Sequence, residues 1–145
     1  MFRGGFLHLS AMAELAEVVR RGAGKISPRI LKNVYKALPM LKIEFAQIDA
    51  PSFPHLEQQL QFLANLVEDF ADGKADEIPY CTVAAACYAL IYARQKWDLI
   101  PDFVPDLGWA DDSGVVRAVL IENEGILADY AGKVNVNWRD ISVKP

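Results

Sequence analysis

Cysteine, histidine and long hydrophobic runs are all scarce in this 145-residue chain. The two cysteines, Cys81 and Cys87, lie six positions apart in one apolar segment. On a helix that separation puts them on different sides, so they cannot bridge each other there. Both read as small buried hydrophobes, and such usage fits a reducing compartment. The histidines are His8, near one end, and His55, just before an apolar helical run; each reads as a solvated or capping residue rather than a catalytic base. The longest uncharged stretch, Ile78 to Ala93, is sixteen residues and includes Pro79. That is short of the roughly 20 predominantly apolar residues a membrane-spanning helix needs. The opening Met1 to Leu9 carries a charge but only a broken apolar stretch, a poor secretory signal. A cytoplasmic protein is expected, with peripheral attachment to a membrane left open.

Catalytic patterns are missing too. There is no H-E-x-x-H, no C-x-x-C and no G-x-S-x-G. Gly24-Lys25 lacks the rest of a phosphate loop, because Val19 stands at the first glycine and Ile26 at the hydroxyl residue. Without a recognisable catalytic set, the chain leans away from enzymes.

What is present is a polarised charge distribution. The net charge is -4, which argues against general nucleic-acid binding, since phosphate backbones are held by clustered Lys and Arg. Residues 1–42, however, hold eight basic residues (Arg3, Arg20, Arg21, Lys25, Arg29, Lys32, Lys36, Lys42) against Glu14 and Glu17. The remaining residues hold seven basic against seventeen acidic. Either the basic region packs along an acidic body and lines solvated helix faces, or it meets an anionic membrane surface or an acidic protein partner.

Apolar spacing is helical throughout, and no convincing alternating strand is found. Ser10 is placed to cap a first helix over about 11–21 that ends at Gly22-Ala23-Gly24. Ser27-Pro28 opens a second, with Ile30, Leu31, Val34, Tyr35 and Leu38 as its apolar stripe and Lys32 and Lys36 on the other side. Pro39 is expected to kink or break it, with a continuation through Leu41, Phe45 and Ile48. A third helix over about 54–71 carries Leu56, Leu60, Leu63, Val67 and Phe70, and Asp72-Gly73-Lys74 stops it. Its heptad-like face also suits a homodimer seam. A fourth, over about 79–96, is apolar on nearly every face and belongs at the centre of a helical domain. A last helix, capped by Asp111 or Asp112, runs to about Tyr130 and ends at Gly132, leaving a polar tail as a short extended arm or frayed end. The expected fold is all-α: one compact domain over residues 1–145, of five to six helices around the helix at 79–96. Residues 1–53 form a basic N-terminal helical extension.

The most specific segment is Trp97-Asp98-Leu99-Ile100-Pro101-Asp102-Phe103-Val104-Pro105-Asp106-Leu107-Gly108-Trp109-Ala110-Asp111-Asp112, with five aspartates in sixteen residues. Pro101 and Pro105 push Ile100 and Val104 out of helical conformation, so one continuous helix is excluded and tight turns are expected. Asp98 can accept turn N–H groups, Asp102 and Asp106 follow prolines where a short helix would start, and Asp111 and Asp112 open the last helix. Helix capping alone thus accounts for all five, with Trp97, Phe103, Leu107 and Trp109 as anchors. The segment resembles the central motif of the YkvA-like family (DUF1232), bacterial domains of unknown function, over roughly residues 78–130. That resemblance implies Asp98, Asp102, Asp111 and Asp112 as motif positions, with Pro101, Phe103, Pro105, Gly108 and Trp109 shaping the backbone. It names no reaction.

Two readings of function follow. The leading one is a non-enzymatic interaction or accessory module whose basic N-terminal helices meet an unidentified protein or an anionic membrane. The alternative is a divalent-metal-binding protein or metal-dependent enzyme, in which Asp98, Asp102, Asp111 and Asp112 share a Mg²⁺ or Ca²⁺ ion. The spacing fits no standard calcium loop: with Gly114 as the invariant glycine, the first and last ligands would be Trp109 and Leu120.

Overall fold

The computed structural model describes the backbone of residues 2–99 and 105–143, and the side chains of residues 13–94 and 112–143. Every regular element among them is a helix: α1 (Phe2–Ala23), α2 (Pro28–Ala46), α3 (Leu56–Ala71), α4 (Tyr80–Leu99), α5 (Pro105–Glu122), α6 (Glu124–Lys133) and α7 (Trp138–Ile141). The all-α expectation holds.

The central position expected for residues 79–96 falls to α4, which packs against α1, α2, α3 and α5. Its row of small residues explains the close fit. Ala84, Ala85, Ala86, Cys87, Ala89 and Ala93 are all buried, and small side chains let neighbouring helix axes approach. At Gly22 of α1 the approach is tight, with a Cβ there falling 2.2 Å from Tyr88 Cε1.

Helix α3 follows its sequence pattern, with Leu56, Leu60, Leu63 and Val67 fully buried. That stripe packs inside the chain. Gly73, at φ +78°, ends it; the Lys74 N–H donates to the Asp69 carbonyl and the Gly73 N–H to that of Phe70. This is the left-handed closure for which glycine is suited.

Three expectations about boundaries are corrected, and the expected continuation past Pro39 is met without a break. Helix α1 begins at Phe2, so Ser10 is interior rather than a cap; extending a formed helix needs no second nucleus. Helix α2 runs through Pro39 to Ala46, with Ser27 Oγ accepting from the Ile30 N–H and Pro28 in the first turn. Proline forfeits one hydrogen bond, but Leu31, Val34 and Leu38 before it and Leu41 and Phe45 after it share one buried face, and their packing outweighs the loss. The single last helix is two, broken at Asn123. There the side-chain amide donates to the Val119 carbonyl, and Asn123 Oδ1 accepts from Thr82 Oγ1 of α4. Such local side-chain bonds compete with helix continuation. Helix α6 ends not at Gly132 but at Lys133, followed by Asn135 with φ 60° and a Val136 N–H bond to the Ala131 carbonyl.

Through Val143 the tail is not frayed. Asn137 caps α7, and buried Gln59 donates to the carbonyls of Ile141 and Val143, both at 2.8 Å. Ile141 is buried, and Trp138 packs with Phe62 at a ring separation of 6.0 Å.

Candidate functional site

The aspartate-rich segment divides between α4 and α5. Asp98 lies in the last turn of α4, while Pro101, Asp102 and Phe103 fall outside the described residues. Pro105 is the first residue of α5, where its fixed φ and missing N–H cost nothing. Asp106 follows in the first turn, where the helix dipole favours a carboxylate.

Gly108, Trp109 and Asp111 lie within α5, with side chains outside the described residues. Asp112 is also interior to α5 and only 2% exposed. The expectation that Asp111 or Asp112 caps the last helix is therefore corrected. The helix starts about two turns earlier, because Pro105 and Asp106 supply its N-terminus. Of the four proposed ligands only Asp112 has a described side chain, so the set lies largely outside the described residues. Within them, no three His, Cys, Asp or Glu side chains come together.

The cysteines split. Cys87 is buried as expected, and burial pushes its thiol up to about 12. Cys81 is exposed, a correction to its expected burial; it sits in the first turn of α4 and lines a cleft of about 440 Å³ with Arg20, Tyr80, Glu122 and Asn123. Arg20 there is held by Glu17 at 2.9 Å and Glu122 at 3.4 Å. No histidine lines this cleft to serve as a base. A second cleft, of about 370 Å³, is lined by Glu77, Ile78, Ile126, Asp129, Tyr130 and Lys133. Its cation, Lys133, is bound to Glu77 at 2.7 Å, an ion pair that lowers the Glu77 carboxyl below its usual range.

The basic N-terminal charge resolves into two populations. Arg20, Arg21 and Lys42 are neutralised within the chain by Glu17, Glu122 and Glu68. Lys25, Arg29, Lys32 and Lys36 are exposed, and none pairs with a carboxylate among the described residues. Three of these stand on α2 with a helical spacing that continues into Met40 and Ile43. At about 100° per residue, Arg29, Lys32, Lys36, Met40 and Ile43 fall within a sector of about 80°, opposite the buried stripe. Met40 is 45% and Ile43 62% exposed. Thus the outer face of α2 is cationic in its first half and apolar in its second. The sequence pattern placed Lys32 and Lys36 away from the core but missed this apolar continuation. Its signal was the three-and-four spacing carried past Pro39.

A groove of about 550 Å³ adjoins the start of that face, between α1, the turn into α2, and α4. Val18, Ile26, Ile30, Tyr88 and Ile91 form its apolar walls, and Arg21 and Lys25 belong to its lining.

Residues 82–117, covering most of α4 and the first two-thirds of α5, match the family model described as Protein of unknown function (DUF1232), in agreement with the resemblance read from the aspartate motif. No curated protein and no solved structure matches the chain.

Proposed function

From a chain that carries the DUF1232 segment, a family description naming no activity, we propose a non-enzymatic module that lies on an anionic membrane surface through the outer face of α2. The observation that carries this reading is the alignment of Arg29, Lys32 and Lys36 with exposed Met40 and Ile43 on one face. Cations draw that face to anionic headgroups at about 1 kcal/mol each near the surface. The two apolar side chains can then enter the boundary between headgroups and acyl chains, as on interfacial helices. The opposite face of α2 is buried against the core, so the helix binds without leaving the fold. Attachment is peripheral: among the described residues, no helix is long and apolar enough to cross a membrane.

The test is vesicle flotation with phosphatidylglycerol-containing and pure phosphatidylcholine vesicles. Binding is expected to require the anionic lipid and to weaken with salt. The double substitution Lys32→Glu and Lys36→Glu removes about 2 kcal/mol of attraction even before repulsion is counted, so partitioning should fall by about 30-fold or more. Ile43→Asp should weaken binding with little change in its salt dependence. Absence of flotation at low salt, or equal flotation of the double variant, overturns the reading.

A further inference from the structure

We infer that the groove between α1, the turn into α2, and α4 binds the hydrocarbon chain of a single-chain anionic lipid, with the head oxyanion held by Arg21 and Lys25. The inference rests on the surface reading for one thing, the membrane as source of the ligand.

The walls are apolar and formed by Val18, Ile26, Ile30, Tyr88 and Ile91. At the mouth, Val18 is 37% exposed, an apolar side chain that no described element covers. The groove's volume, about 550 Å³, lies within the range of small-molecule sites. Gly22, also in its lining, lets the Tyr88 ring lie directly against the α1 backbone.

Charge selects the other end of the ligand. Arg21, in the last turn of α1, and Lys25, two residues past its end, are both exposed. Arg21 uses only Nε on Glu17, at 3.3 Å, which leaves both terminal guanidinium nitrogens with donors for an oxyanion. Lys25 has no carboxylate partner among the described residues. No carboxylate lines the groove. The two other clefts lack this combination: one has its arginine tied to Glu17 and Glu122, and the other contains Glu77 and Asp129 with its lysine bound to Glu77. Apolar walls beside an unpaired lysine and an arginine whose terminal nitrogens remain open match a molecule with one long apolar part and one anionic end.

The full chain, labelled at its isoleucine and valine methyls, would be titrated with dodecyl phosphate below its micelle concentration, with inorganic phosphate, and with dodecyl maltoside as a neutral-headed control. Dodecyl phosphate should give saturable shifts at Val18, Ile26, Ile30 and Ile91, and inorganic phosphate none. Val18→Trp, which fills the mouth, should weaken dodecyl phosphate at least tenfold while keeping flotation on anionic vesicles. Lys25→Glu, a surface change that leaves the packing alone, should weaken dodecyl phosphate at least tenfold and dodecyl maltoside by less than twofold. No saturable shift, shifts centred elsewhere, an equal response to inorganic phosphate, or full affinity in both variants overturns the site. Dodecyl phosphate binding in a protein that fails to float on anionic vesicles would support the groove and remove the membrane as its source; the reverse pattern would remove the groove and keep the surface reading.

Discussion

Replacing Gln59 by leucine tests whether one buried amide ties the C-terminal tail to the core. Gln59 is fully buried on α3, and its Nε2 donates to the carbonyls of Ile141 and Val143, both at 2.8 Å. Leucine removes both donors and keeps roughly the same bulk. The Ile141 bond is buried, so its carbonyl is left without a donor, which costs about 1–3 kcal/mol. Val143 is exposed, so water can replace its lost bond at about 0.5 kcal/mol or less. One effect opposes these. Gln59 Oε1 finds no donor among the described residues, and deleting that buried oxygen recovers about 1 kcal/mol. The net is a destabilisation of about 1–2 kcal/mol, or about 2–8 °C in Tm for a domain of this size. Urea unfolding gives the energy, and amide exchange at Ser142, whose N–H donates to the Trp138 carbonyl at 2.8 Å, reports whether α7 loosens first. Gln59→Glu should cost more, because a carboxylate would face two carbonyl oxygens. If Gln59→Leu is neutral or stabilising, with Ser142 protection unchanged, the amide is not what holds the tail.

Three other outcomes are expected. Gly22→Ala should destabilise by about 1–2 kcal/mol, since its Cβ would fall 2.2 Å from the Tyr88 ring and outweigh the helix-propensity gain; Gly114→Ala, whose Cβ meets the end of the flexible Leu15 side chain at 2.8 Å, should stay within about 1 kcal/mol of the native protein, and thermal melts of both check the contrast. Iodoacetamide at pH 8 should alkylate exposed Cys81 and spare Cys87, whose thiol is buried and pushed up to about 12; equal labelling by mass spectrometry would contradict the packing of α4. Stability should decline above pH 10, the ordinary tyrosine value, because burial and the 2.6 Å bond to Asp69 hold Tyr130 neutral in the folded protein while the unfolded chain ionises. The raised folded value means that this contribution is complete below pH 10 and is lost progressively as pH rises from there toward the folded value, so Tyr130→Phe should reduce that decline in urea titrations at pH 9–11.

Residues 56–70 show how much can be read from one dimension. Leu56, Leu60, Leu63 and Val67 recur at helical spacing, and Gly73 supplies the left-handed stop, so both the helix and its end were legible. So was the central role of α4, because a helix apolar all round has no face to give to water. Pro39 was harder: its local cost is visible in sequence, but the packing of Leu38, Leu41 and Phe45 that outweighs it is not. Asn123 and Asn135 end or interrupt helices through one particular side-chain bond and one left-handed residue, choices that asparagine permits without requiring. The same limit applied to the candidate site. The aspartate motif pointed to the family whose model residues 82–117 match, but where α5 starts decided that Asp112 is interior rather than a cap.

Helical class, the buried stripes, the turn at Ser27-Pro28 and the imbalance of charge are legible in one dimension, because each follows from residues within a few positions of one another. Three-dimensional packing sets which cations pair with Glu17, Glu68 and Glu122 and which have no carboxylate partner among the described residues, that Cys81 faces solvent while Cys87 does not, and that Met40 and Ile43 stay exposed beside Arg29, Lys32 and Lys36. Charge and periodicity are properties of the chain, whereas exposure and ion pairing depend on which other segment arrives to cover a side chain, and that is set by packing between helices distant in sequence.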